Sequence, residues 1–364
     1  MTLPAHTSSR GEDLTGTGAS RPSGEELPAG ASVGSGAPDM TSAGRAVAKR
    51  ASPLVTIMIP TFGQARVLAK AVDSALSQDY PNLEVIVSDD ASPDATPEVM
   101  SPYASELRLR YVRSPVNRGR VANYRHTLEH LARGDYVLNL DGDDWLCDPR
   151  YISDAVEMIR TEPTLALVFA RSTVYDEARD SFREVPRNAG LPVVNLGTDL
   201  LRGYADDRVS IPHMTALYHK ETALEVGFYQ AEVLGTDSVA LLSLLPGRTV
   251  GFIDRPVGVW RKHAANATWS PDVLERVRNY AIADIPAAIA RETGALTAAE
   301  ASRWRRGMAV VLAQSFVEDC LAAGRWGAAS RFMLATGRHR PVVTASVAAR
   351  LMRKGASRLL GGAR

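Results

Sequence analysis

Residues 136–146 read YVLNLDGDDWL, and the way this run ends decides the fold. Residues suited to a β-strand stop at three carboxylates, Asp141, Asp143 and Asp144, held within four positions. The same thing happens upstream, where LEVIVSDD closes on Asp89 and Asp90. In open parallel sheets ligands bind beyond the carboxyl ends of the strands, so two strands that end in acids point to one sheet edge.

Working outward, SPLVTIMIPTF predicts a strand over 54–59 with apolar residues on both faces, as a strand covered on each side requires. Helical spacing of Val67, Leu68, Val72 and Leu76 predicts a helix over 65–78. A short helix over 93–104, a strand over 107–114 and a helix over 121–133 complete the alternation. Strand and helix repeating at this spacing imply an α/β fold with a mostly parallel sheet, and right-handed crossovers leave few topologies.

Beyond Pro149 the rhythm changes. A helix is expected over 151–160, a strand over 165–176, then a polar stretch with Pro and Gly to Arg208. A strand near 214–219, a helix over 220–227, a helix starting near Asp237 and a strand over 250–263 follow. From Pro271 the chain reads as helical, and residues 1–50, rich in Gly, Ser, Pro, Ala and Thr, read as a disordered leader. No internal repeat is evident.

With 42 basic and 41 acidic residues the net charge is +1, which lacks the broad basic footprint of a nucleic-acid partner. Cys147 and Cys320 lie far apart and form no metal-ligand spacing; reduced thiols are expected. No run of about 18 apolar residues occurs, and the first residues lack the order of a secretory signal. The expected location is the cytoplasmic side.

Closely spaced aspartates repel one another and raise their pKa values, so such clusters persist most naturally around a cation or a donor-rich ligand. Their hard oxygens suit Mg²⁺ or Mn²⁺, ions that hold phosphate oxygens as well as carboxylates. The bland alternative is a polar loop whose acids cap the next helix. Two acid clusters at successive sheet ends weigh against it.

The blocks VTIMIPTFG, LEVIVSDDASPDAT and NRGRVANYRHTLEHLARGDYVLNLDGDDWL, in this order, resemble those of the family-two glycosyltransferases over residues 53–267. The resemblance implies a GT-A, Rossmann-like sheet. With the leader (1–50) and the helical region (271–364) read above, the chain divides around a transferase domain (51–270) with nucleotide-binding (51–150) and acceptor (151–270) halves. The resemblance also implies transfer of a sugar from a nucleotide sugar, usually a UDP-sugar, with inversion. At matching positions Pro60 and Thr61 pass beside the nucleotide, Asp90 reads the base, Asp141 lies near the ribose, and Asp143 or Asp144 binds the metal.

VGFYQAEVLGTDSVALLSLL is similar to the family segment where a Glu-Asp pair opens a helix and the Asp is the general base. Thr236 replaces the Glu here, leaving Asp237 as the base. A carboxylate at a helix N-terminus is also a natural cap, and the residues alone leave base and cap open. WRKHAANAT is similar to a family element in which His263 would be a metal ligand or a donor to the diphosphate, flanked by Arg261 and Asn266. His213 lies where relatives place residues near the donor sugar. Asn117 and Gly119 keep the family's N-x-G turn, but the arginines shift to Arg118, Arg120 and Arg125, with Arg120 taken for the nucleotide. The Gln-x-x-Arg-Trp element of processive synthases is absent, so single addition is implied.

Two other classes remain. A sugar nucleotidyltransferase would share the sheet and the acids but would carry a Gly-rich, basic loop after the first strand, where PTFGQAR has one Gly and one Arg. A silent nucleotide-sugar binding module would use Asp237 only as a cap. After Asp319 the chain has no acids and nine basic residues, and Val343, Val347 and Leu351 can share a helix face apart from Arg350, Lys354 and Arg358. Such a charge run is most often a solvated face, and the other reading is a basic amphipathic helix making peripheral contact with an anionic membrane. The acceptor is left open between saccharide, lipid-linked and small-molecule classes.

Overall fold

Strand β1, Val55–Thr61, is buried along its whole length, and so is β2, Leu83–Asp89, beside it. The computed structural model describes residues 52–264, 266, 270 and 272–361, with side chains as far as Lys354. The leader expected at 1–50 lies outside them.

β1 pairs in parallel with β2 and with β4, Tyr136–Asn139, and β2 pairs in parallel with β3, Leu109–Arg113. Helix Ala65–Leu76 buries Leu68, Ala71, Val72 and Ala75 against one face of these strands. On the opposite face, Met58, Ile86 and Val137 pack with Tyr124 and Leu128. Two covered faces explain why β1 carries apolar residues on both sides.

The second half extends the same sheet with mixed polarity. Strand β9, Ala216–His219, lies antiparallel between β4 and β6, Leu165–Asp176, and β6 runs parallel to β10, Thr249–Lys262. The sheet order is β3-β2-β1-β4-β9-β6-β10-β5, where β5 is Trp145–Leu146. The stretch expected to be irregular up to Arg208 holds strands β7, Ser181–Glu184, and β8, Val194–Leu196, then helix Gly197–Ala205. Edge strands with one exposed face carry little apolar signal: every residue of β7 is exposed.

Helices Ala281–Glu292, Ala298–Ala322, Trp326–His339 and Pro341–Gly361 continue the apolar cluster of the sheet's second face. Val343 and Val347 are buried in that cluster and Leu351 packs against it. The apolar stripe expected to meet a membrane is therefore used inside the protein, which corrects that expectation. Arg350 bonds Gln314 and Lys354 pairs with Glu318, while the Arg358 side chain lies outside the described residues. Among the described residues, no helix is long and apolar enough to cross a membrane.

Candidate active site

Parallel register sets Thr61 beside Asp89 and Met58 beside Asn139. One residue further, Asp90 N–H donates to the Thr61 carbonyl at 3.0 Å and Leu140 N–H to the Met58 carbonyl at 2.9 Å. The chain after β2 and the chain after β4 thus leave on either side of Pro60–Thr61. A cavity of about 1190 Å³ opens there, lined by Pro60, Thr61, Asp90, Asn117, Arg120, Asp141, Asp143, Asp144, His213, Asp237 and His263, all of which the sequence places at the site.

The two acids closing β2 have different surroundings. Asp89 is fully buried, accepts from the Ser92 N–H and the Tyr111 hydroxyl, and pairs with Arg113. Asp90 lines the cavity and holds the N-x-G turn: its two oxygens accept the Arg118 and Gly119 N–H groups, each at 2.8 Å. Asn117 Oδ1 accepts the same Gly119 N–H at 2.8 Å. Gly119 has φ 90, and a side chain there would be strained. This turn starts helix Arg120–His126 with Arg120 facing the cavity, whereas Arg118 bonds Ser114 and Arg125 reaches Glu232.

Asp141 Oδ1 accepts from the Tyr124 hydroxyl at 2.6 Å and from Asn139 Nδ2 at 2.9 Å. A carboxylate needs a donor, so the Asn139 amide must turn its NH₂ this way. That NH₂ also faces His213 Nδ1 at 3.2 Å, which makes Nδ1 the acceptor and leaves the proton on Nε2, aimed at the Tyr229 hydroxyl 2.7 Å away. Tyr229, whose hydroxyl also lies 3.3 Å from that of Tyr218, has φ 57, a costly conformation for a bulky side chain. Between the acids, a Cβ on Gly142 would lie 2.6 Å from Gln64 Oε1 and 3.0 Å from Thr61 Oγ1. A side chain at this position would have to displace the Gln64 amide and crowd the Thr61 hydroxyl.

Asp143 Oδ2 stands 2.7 Å from His263 Nε2, although the two are 120 positions apart. Asn266 fixes the ring's loop: its Oδ1 accepts the His263 N–H at 2.6 Å and its Nδ2 donates to the Arg261 carbonyl at 3.1 Å. Asp144 Oδ1 accepts the Arg261 N–H at 2.8 Å, tying the turn to β10. Burial, then repulsion from Asp141, pushes Asp143 above the usual carboxylate range, and the His263 ring pulls it part of the way back. Burial, then repulsion from Asp143 and Asp141, holds Asp144 well above it.

These surroundings suit a cation, which would offset the repulsion. Among the described residues no three His, Cys, Asp or Glu side chains converge into a ready cage. Mg²⁺ and Mn²⁺ bound with phosphates commonly take only one or two protein carboxylates, so the oxygen and nitrogen donors of Asp143 and His263 fit. Asp144, expected as an alternative ligand, has one oxygen engaged by the Arg261 backbone.

The burial of Asp144 gives a stability prediction. Its folded pKa is raised, so between the unfolded value near 4 and the folded value the folded state binds more protons, and stability falls as pH rises. Asp144→Asn keeps the oxygen that accepts the Arg261 N–H and removes the charge. At pH 7.5 and without divalent ions, its melting temperature should exceed that of the wild type by about 2–4 °C, the response of a large domain to about 1 kcal/mol. The gain should vanish near pH 4. Thermal unfolding at the two pH values checks both.

Asp237 stands in the first turn of helix Thr236–Ser243, whose N-cap is Gly235. Among the described residues its carboxylate accepts no hydrogen bond, so the capping role leaves no trace in the geometry. Burial would lower the pKa of Arg120, but the fields of Tyr124 and Asp237 outweigh it. Arg120 also donates to the Leu234 carbonyl at 2.6 Å, bracing the turn before this helix. Sequence reasoning missed Tyr124, Tyr204 and Arg187, which line the same cavity. Tyr124 lies in a helix that the periodicity does predict, but its hydroxyl partner is known only once β4 is placed beside it.

Residues 56–217 match the sequence profile of Glycosyl transferase family 2. The chain is 34% identical over 127 residues to EpsE of Bacillus subtilis, which covers 34% of this chain and 45% of that protein. It is also 34% identical over 125 residues to the chondroitin synthase of Escherichia coli, covering 34% of this chain and 18% of that one. The chain thus spans less than half the length of either relative. Among solved structures, S. aureus TarS 1–349 in complex with UDP superposes with a TM-score of 0.54 at 18% identity, over 72% of each chain. At that identity the likeness speaks for the fold.

Proposed function

Because this chain belongs to glycosyltransferase family 2, we propose that it moves a sugar from a nucleotide-sugar donor, in the first instance a UDP-sugar, to an acceptor hydroxyl with inversion. The observation that carries this reading is the convergence of Asp90, Asp141, Asp143, His263 and Asp237 on one cavity. The solved complexes of TarS with UDP and with UDP-GlcNAc support the choice of nucleotide.

Each residue then has a task. Asp90 orders the N-x-G turn and, through its remaining lone pairs, meets the base. Asp141, held by Tyr124 and Asn139, presents its free oxygen to the ribose. Asp143 and His263 would hold Mg²⁺ or Mn²⁺, and such an ion would supply positive charge to offset that on the departing diphosphate. Asp237 takes the proton of the acceptor hydroxyl as its oxygen bonds to the anomeric carbon, while the bond from that carbon to the diphosphate breaks and UDP leaves. Arg120, which lines the cavity, meets the nucleotide, and His213 faces the sugar. One displacement inverts the centre.

A panel of nucleotide sugars assayed for divalent-dependent hydrolysis tests the reading, because slow transfer to water needs no acceptor. At least one donor should be hydrolysed with Mn²⁺ and not with a chelator. A donor that is bound but turned over under neither condition makes the chain a silent nucleotide-sugar binding module, and a panel in which no donor is bound or turned over overturns the reading altogether.

A further inference from the structure

Three cavities meet at one ion pair. Arg187 stands 2.6 Å from Asp207, and both residues line the candidate active-site cavity, a second cavity of about 230 Å³ and a third of about 870 Å³. Tyr204 and Ser210 also belong to the first two, and Val311 and Ser315 to the last two. The Tyr204 hydroxyl lies 3.3 Å from Ser238 Oγ, next to Asp237. The three cavities therefore share walls in succession from the candidate base, past Tyr204 and along helices Gly197–Ala205 and Ala298–Ala322, out to Arg350. Trp304 Nε1, which donates to the Leu201 carbonyl at 2.7 Å, and the 3.3 Å pair of Arg202 with Glu300 lock the two helices together.

The chemistry of the outer wall narrows what can lie there. The 870 Å³ cavity carries four arginines and four carboxylates, with Gln314 and Ser315 between them. A polyanion gains no net attraction from a balanced wall, and a lipid tail would strand those charges against hydrocarbon. Guanidinium, carboxylate and amide heads side by side donate and accept in pairs, which matches adjacent hydroxyls. We propose that these successive cavities form the acceptor groove, and that the acceptor is an oligosaccharide several units long without dense charge. The inference rests on the transferase reading above and says which acceptor class its cavity serves.

Gly307 offers a clean test. It lines the outer cavity from helix Ala298–Ala322, and a Cβ built on it meets nothing within 4 Å. Gly307→Trp should fill the groove from outside the core, whereas Gly307→Ala should leave room and favour the helix. Arg303→Ala removes an exposed guanidinium from the same wall.

The probe is a panel of neutral and anionic glycans of one to eight units, plus lipid-linked sugars in vesicles, bound to the full chain with UDP and Mn²⁺. Neutral glycans of four or more units should bind at least tenfold more tightly than monosaccharides. Gly307→Trp should lose at least tenfold of that binding, Arg303→Ala about threefold, and Gly307→Ala none. Calorimetry with UDP on the same preparations confirms that the variants are folded.

Retention that ignores chain length, preference for anionic or lipid-linked probes, no glycan retained, or wild-type retention by Gly307→Trp would each overturn the groove. In all of those cases donor hydrolysis by the wild-type chain still stands. Absence of hydrolysis removes the transferase reading itself, so the two failures are distinct.

Discussion

Asp237→Asn is expected to cut donor turnover by about 10²- to 10⁴-fold, the contribution of a positioned general base, while UDP binding stays within about twofold of wild type. The substitution preserves shape and removes only the ability to take a proton. Gly235, not Asp237, stands at the N-cap, and the carboxylate accepts no hydrogen bond among the described residues. Its loss should therefore cost the fold little. A residue that merely capped the helix would leave turnover intact in Asp237→Asn, because Asn caps as well as Asp, and would lose about 1 kcal/mol of stability only in Asp237→Ala. Steady-state hydrolysis of the best donor, calorimetry with UDP, and a thermal melt on one preparation separate the two outcomes.

His263→Ala should weaken Mn²⁺-dependent UDP binding and lower turnover by about 10²-fold or more, with metal-free UDP binding unchanged. The reason is reciprocal. Asp143 is already held above the usual carboxylate range by burial and by Asp141, and the imidazole is what draws it back. Without the ring, Asp143 should stay protonated to higher pH, so the site loses one ligand outright and the second by protonation. Raising the pH or the Mn²⁺ concentration should then recover part of the activity. Titrating UDP at several Mn²⁺ concentrations, at pH 6.5 and 8.5, reads both effects. An activity loss that neither pH nor Mn²⁺ relieves would make His263 a structural support of the Asp143 turn.

Much of the site is legible in one dimension because its parts sit at strand ends. An acid just beyond a buried apolar run stands out in the sequence, and parallel pairing brings such ends to one edge whatever the loops do. This is why Pro60, Thr61, Asp90 and the acids after β4 can be named together. The same reasoning cannot tell Asp89 from Asp90, since neighbouring residues at a strand end point to opposite faces and only packing says which face is buried. Nor can it choose among Arg118, Arg120 and Arg125, a choice that depends on where the Gly119 turn releases the helix.

Sequence alone determined the layered α/β architecture, the acid-lined edge and the helical C-terminal region, because hydrophobic periodicity and strand-end chemistry are local properties that survive any arrangement of the rest. Tertiary structure alone decided which acids face the cavity and that His263 lands 2.7 Å from Asp143 across 120 positions. It also turned the stripe of Val343 and Val347 inward, where burial against neighbouring helices removes more apolar area from water than an exposed face could. Pairings between distant segments, and the side of a helix that finds a partner, are set by the sum of contacts over the whole chain.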